Sequence, residues 1–120
     1  VPKDTNQDFL SGANKAYEMI VQAYQNNNIE NVKDLLTPEA LQAMEQAKAP
    51  KEIKFSDVKS SSLLEDKSDD QRLLKSVKFE TEHYNVAKNE IITVVEEWGF
   101  EKEIKSSDPN WKLSSIKLVS

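Results

Sequence analysis

Apolar residues near the start of the chain recur at spacings of three and four: Phe9, Ala13, Ala16, Tyr17, Ile20, Ala23 and Tyr24. That spacing puts them on one face of a helix of about four turns, with Asp8 or Asn6 as its cap. Alanines alternate with aromatic rings along the stripe, so the helix can lie close to a sheet while the rings reach further in. The run Gln25-Asn26-Asn27-Asn28 ends it, because Asn accepts left-handed backbone and competes for backbone bonds. Ile29, Val32, Leu35 and Leu36 predict a short second helix. Thr37-Pro38-Glu39 is a helix start: a hydroxyl cap, Pro at the first helical position and an acid at the positive end of the dipole. Leu41, Met44 and Ala47 give this third helix a thin apolar stripe, and Pro50 stops it.

Beyond Lys54 the period falls to two. Residues 53–64 read as a strand with a phase slip between Phe55 and Val58, and residues 65–70 as a polar turn. Leu73, Val77, Phe79, Thr81 and His83 share one phase of a second strand, closed by a loop over residues 85–89. Ile92, Val94, Trp98 and Phe100 then alternate with Thr93, Glu97, Glu101 and Glu103, as a half-buried strand requires. The run Ser106-Ser107-Asp108-Pro109-Asn110 reverses the chain. Trp111 and Leu113 open the return strand, while Ile116 and Leu118 continue it one residue out of phase, which predicts a bulge near Ser114 and Ser115. Helices followed by consecutive strands predict an α+β fold: N-terminal helices packed on a curved four-stranded antiparallel sheet.

A chain of 120 residues suits one domain, expected over residues 8–120 with residues 1–7 as a linker end. It begins on Val, so it is expected to be a fragment whose upstream anchor, if any, is not part of it. Without Cys it has no disulfide, thiolate metal site or cysteine nucleophile. Its net charge of −5 argues against nucleic-acid binding, which needs a basic footprint. No apolar run approaches the roughly 20 residues of a membrane helix.

Candidate chemistry is sparse. His83 is the only histidine, so a histidine-rich metal site is excluded; no metal, cofactor or catalytic residue is assigned. One position stands out: Glu96 falls in the apolar phase between Val94 and Trp98. If the sheet curves into an open cone, Glu96, Thr81 and His83 form a polar floor in an apolar cavity, where burial raises a carboxylate's pKa and general-base chemistry becomes conceivable. The plainer reading puts Glu96 at a bulge or on the sheet rim, solvated or paired with a lysine. The rings likewise read as ordinary core or as a pocket. The candidate pocket set is Tyr17, Ile20, Tyr24, Phe79, Val94, Trp98, Phe100 and Trp111. Lys48, Lys51 and Lys54 make a solvated connector or a contact for anionic lipid.

Taken together, Asp8-Phe9-Leu10, Gly12-Ala13, Ala16-Tyr17, Ile20 and Ala23-Tyr24, then Leu35 to Glu39, Trp98-x-Phe100 and Ser107-Asp108-Pro109-Asn110-Trp111-x-Leu113 resemble one family. It is that of the C-terminal domain of the forty-four-kilodalton subunit of the mitochondrial inner-membrane import translocase, with its bacterial relatives. The most specific piece is Asp-Pro-Asn-Trp after Trp-x-Phe. The resemblance implies a cone related to the nuclear-transport-factor-like fold, with helices on a bent sheet around an apolar pocket. It also implies a non-enzymatic, peripheral role in protein transport at an inner membrane, on the matrix face in mitochondria or the cytoplasmic face in bacteria. The implied partners are anionic phospholipid and chaperone or translocase components; a purely structural interaction module and a cone-fold enzyme using Glu96 and His83 stay open beside it. The chain departs from the pattern at Lys102, where the family often shows arginine and its bidentate contact, and at Asn27-Asn28, where it usually shows Gly-Asp.

Overall fold

The computed structural model describes residues 5–108 and 110–119. Helix α1 spans Thr5–Gln25, a 3₁₀ segment spans Ile29–Leu35 and helix α2 spans Pro38–Gln46. Strands β1 (Ile53–Ser68), β2 (Arg72–Asn85), β3 (Glu90–Glu103) and β4 (Lys112–Leu118) form one antiparallel meander in the order β1-β2-β3-β4. This is the α+β architecture that the order of periodicities predicts.

Several boundaries differ from the sequence reading. Helix α1 begins at Thr5, inside the stretch read as linker, and so carries Asp8 within its first turn rather than at the cap. Asn6 likewise stands inside α1, so it is not the cap. The linker reading of residues 1–4 and the turn role of Pro109 lie outside the described residues. The second helix is 3₁₀ with a kink at Val32. Helix α2 stops at Gln46, so Ala47 is its C-cap, and Ala40 is its buried residue. Strand β1 continues past Leu64 to Ser68, because Asp69 makes a tight turn: its carboxylate accepts the Gln71 and Arg72 N–H groups at 2.8 and 2.7 Å. That turn holds the backbones of residues 65–68 on β2 although their side chains are exposed. Strand β4 starts at Lys112, one residue after Trp111.

Helix α1 ends as its sequence requires. Asn27 stands in left-handed backbone at φ 60°, the Asn28 N–H reaches the Ala23 carbonyl at 2.9 Å and the Asn27 N–H reaches Tyr24 at 3.2 Å, the paired bonds of a Schellman cap. Asn27 fills the place where a glycine is the usual choice. Helix α2 is capped by the Thr37 hydroxyl, which accepts the Ala40 N–H at 3.2 Å.

Bulges bend the sheet around α1. Strand β1 slips register against β2 at three places, the first between Phe55 and Asp57. Between β3 and β4 the register breaks at Gly99, where Ser114 is the extra residue and its hydroxyl donates to the Gly99 carbonyl at 3.0 Å. A Cβ on Gly99 would stand 2.5 Å from the Ser115 hydroxyl oxygen. Gly99→Ala is expected to cost about 1 kcal/mol by urea unfolding, as overpacking does, and much of that loss should vanish in a Ser115→Ala background. An equal cost in both backgrounds would place the strain elsewhere.

The core lies between α1 and the concave sheet face. Tyr17, Ile20, Val77, Phe79, Trp98 and Leu113 are fully buried there. Tyr17 is the central ring, with centroids 4.5 Å from Trp98, 4.7 Å from Phe79 and 5.7 Å from Phe55, so one side chain of α1 touches β1, β2 and β3.

Candidate functional site

An apolar groove of about 540 Å³ opens between the C-terminal half of α1, the end of α2 and the concave face of the sheet. Tyr17, Val21, Tyr24 and Gln25 form its α1 wall, at spacings of four, seven and eight on one helix face. Met44, Ala47 and Pro50 form the opposite wall. Val94, Trp98 and Ile116 come from the sheet, and Glu96 and His83 supply the polar groups.

Those polar groups form a connected network. The Phe55 N–H donates to the Gln25 side-chain carbonyl at 2.7 Å, which fixes the Gln25 amide with its NH₂ toward His83 Nδ1, 3.3 Å away. Nδ1 is therefore the acceptor and Nε2 carries the proton. Nε2 lies 3.1 Å from the Thr81 hydroxyl and 3.3 Å from the Tyr17 hydroxyl, and the two hydroxyls are 3.0 Å apart. Tyr17 passes its own proton on, donating to Glu96 Oε1 at 2.8 Å. The series from Phe55 through Gln25, His83 and Tyr17 thus ends at the Glu96 carboxylate, while the Thr81 hydroxyl also lies 3.5 Å from the Val94 carbonyl.

Burial sets the electrostatics. It raises the Glu96 pKa, opposed by the hydrogen bond from Tyr17 and by the nearby Trp98 side chain. The Trp98 indole N–H is itself buried without a partner at hydrogen-bonding geometry. Burial also lowers the His83 pKa, keeping the ring neutral, and burial followed by the adjacent Glu96 charge drives the Tyr17 phenol far above its ordinary range. Folded Glu96 therefore binds its proton more tightly than the unfolded chain does, so stability falls as pH rises from about 4.5 through the folded value. His83 works in the opposite sense: stability falls as pH drops from about 6.5 through its lowered folded value. Glu96→Gln removes the first effect, so the Tm of the variant should gain on wild type as pH rises above about 4.5. Parallel Tm curves would show that Glu96 is not desolvated.

The sequence-derived pocket set divides three ways. Tyr17, Tyr24, Val94 and Trp98 line the groove. Ile20 and Phe79 are fully buried core. Phe100 and Trp111 line a separate cleft at the other end of α1, where Phe9 packs edge-on against both, at 5.9 and 4.9 Å, and Lys75 Nζ stands 4.8 Å from the Phe9 ring. The three lysines are divided too. Lys48 and Lys51 line a cleft that also holds Glu30 and Glu45. Lys54 lies between Ile53, which lines the groove, and Phe55, which touches Tyr17, so strand alternation sends it to the opposite sheet face.

Glu96 and His83 line the groove and Thr81 lies fully buried beside them, the three joined through the Tyr17 hydroxyl. As an acid–base pair they are poorly placed: both ring nitrogens of His83 are engaged within the network, leaving the Glu96 carboxylate as the group free to meet a ligand. Gln25 escaped the sequence reading. Its position eight residues after Tyr17 on the same helix face was the available signal.

Comparison with known families gives one finding: a family model described as Tim44-like domain matches residues 4–117. No curated protein matches the chain.

Proposed function

The chain belongs to the Tim44-like domain family, and membership suggests a role in protein translocation at a membrane; we propose that it serves there as a non-enzymatic docking domain whose groove receives an apolar chain. The observation that carries this reading is the groove itself: an open hollow of about 540 Å³ beside a core whose rings leave it unfilled. An acyl chain or an apolar stretch of a partner protein has the matching chemistry, since pockets of this kind bind through apolar walls and are oriented by a few polar groups. The proposed setting is the surface of an inner membrane, in contact with translocase components. Among the described residues no helix is long and apolar enough to cross a membrane. Deep insertion of an anionic headgroup is disfavoured by the Glu96 floor, and the division of Lys48, Lys51 and Lys54 among different faces weakens them as one contact for anionic lipid.

Dodecyl phosphocholine below its micelle concentration tests the groove, with Trp98 as the fluorescent reporter in its wall. Saturable binding is expected, and Ala47→Phe, which fills the groove from the end of α2, should weaken it by about tenfold or more, corresponding to about 1.4 kcal/mol. Absence of saturable binding to the wild-type protein would overturn the reading.

A further inference from the structure

The groove opens beside one of the two edges of the sheet, that of β4. The Val119 N–H bonds the Val95 carbonyl at 2.8 Å, and in an antiparallel ladder bonded pairs alternate with unbonded ones. Lys117 and Glu97 are the next bonded pair, so the N–H and C=O groups of Ile116 and Leu118 point away from β3, past the last strand of the sheet. Their side chains lie on the concave face, in register with Trp98 and Glu96, and are 40% and 67% exposed. Edge strands are ordinarily blunted by inward charges or by a covering segment; here the inward positions carry Ile and Leu.

The chain already uses the start of this edge. Leu36 bridges Leu113 in the parallel sense, with the Thr37 N–H on the Leu113 carbonyl at 3.0 Å. Pro38 then leads the backbone away into α2, so that among the described residues none pairs with β4 on that side beyond the bridge. A cleft of about 210 Å³ between α2 and β4 leads from the bridge into the groove, and Ala43, Met44 and Ile116 line both. The charge is one-sided: Glu39 lines the cleft, Glu96 lines the groove, and no Lys or Arg among the described residues lines either.

We propose that this edge takes an extended segment of a partner protein by strand addition, continuing along β4 the pairing that Leu36 begins. The segment's backbone bonds the outward groups of Ile116 and Leu118, its apolar side chains enter the cleft and groove at alternate positions, and a basic side chain meets the Glu96 carboxylate. Backbone pairing supplies affinity in this mode, and alternate side-chain pockets supply specificity. The inference rests on the groove being a binding site, as proposed above, and adds the identity and geometry of its occupant.

The probe is an acetylated nine-residue peptide of alternating valine and threonine with one central lysine, measured by fluorescence anisotropy and amide hydrogen exchange. Saturation should slow exchange of the Ile116 and Leu118 amides by about tenfold or more. Replacing the lysine with norleucine should weaken binding by about tenfold, and Glu96→Gln should abolish that difference. Leu118→Pro removes an outward N–H that an edge strand can spare; it should lose peptide affinity by about tenfold or more while still binding dodecyl phosphocholine. The proposal is overturned if the two amides are unaffected, if Leu118→Pro binds the peptide like wild type, or if the lysine and norleucine peptides bind alike. Detergent binding without peptide binding sinks strand addition alone; loss of both sinks the groove reading with it.

Discussion

Trp98→Ala is expected to cost about 3–5 kcal/mol of unfolding free energy, the range found for large aromatic truncations in cores. Trp98 is 1% exposed, and its ring meets Tyr17 at 4.5 Å, Phe79 at 5.6 Å and Phe100 at 6.2 Å. Removing it empties the place where α1, β2 and β3 converge, and the groove beside it offers no atoms to refill the space. Trp98→Phe should cost much less, because it keeps most of the contact and deletes a buried N–H that has no hydrogen-bond partner. Urea unfolding of the two variants decides the matter. An alanine variant within about 1 kcal/mol of wild type would show that α1 settles into the gap and that the groove is collapsible.

Tyr17→Phe comes next, at about 1–3 kcal/mol, the usual penalty for stranding buried polar groups. Nearly all the apolar area survives, so the loss reports the hydroxyl alone. That oxygen stands within hydrogen-bonding distance of Thr81, His83 and Glu96, and the phenylalanine ring offers none of them a partner. Without the Tyr17 donor, Glu96 loses an interaction that favours its charged form, so the pH at which it titrates should rise further, visible by carboxyl NMR. A cost below about 0.5 kcal/mol, with an unmoved Glu96 titration, would mean that water from the groove takes over the bonds of the hydroxyl.

Most of the scaffold was legible because period and punctuation agreed. The Asn run after Tyr24, the Thr-Pro-Glu start of α2 and the phase break between Leu113 and Ile116 each name a local backbone event, and each event occurs where they stand. The missed boundaries share a cause: in residues 65–68 neither sheet face is buried, so alternation carries no signal, and pairing is held by the Asp69 turn instead. The site was half legible. Periodicity showed that Glu96 breaks an apolar phase and that Thr81 and His83 share the inward phase of the neighbouring strand. It gave no depth along the helix axis, and depth is what separates Tyr17 and Trp98, which line the groove, from Ile20 beneath them and from Phe100 and Trp111 at the far end. The Gln25 contact to Phe55 joins a helix end to a strand start thirty residues later, a distance across which local pattern says nothing.

That contact reaches further than its size suggests. Phe55 belongs to β1, the other border of the sheet, and its amide decides which way the Gln25 carboxamide is turned, hence which imidazole nitrogen bears hydrogen. Peeling the first residues of β1 from β2 would let the carboxamide spin freely, allow the imidazole proton to swap sides, and scramble the order of donors that ends at Glu96. The polarity written into the bottom of the hollow is therefore held from the opposite margin of the protein, where a visitor at β4 never touches it.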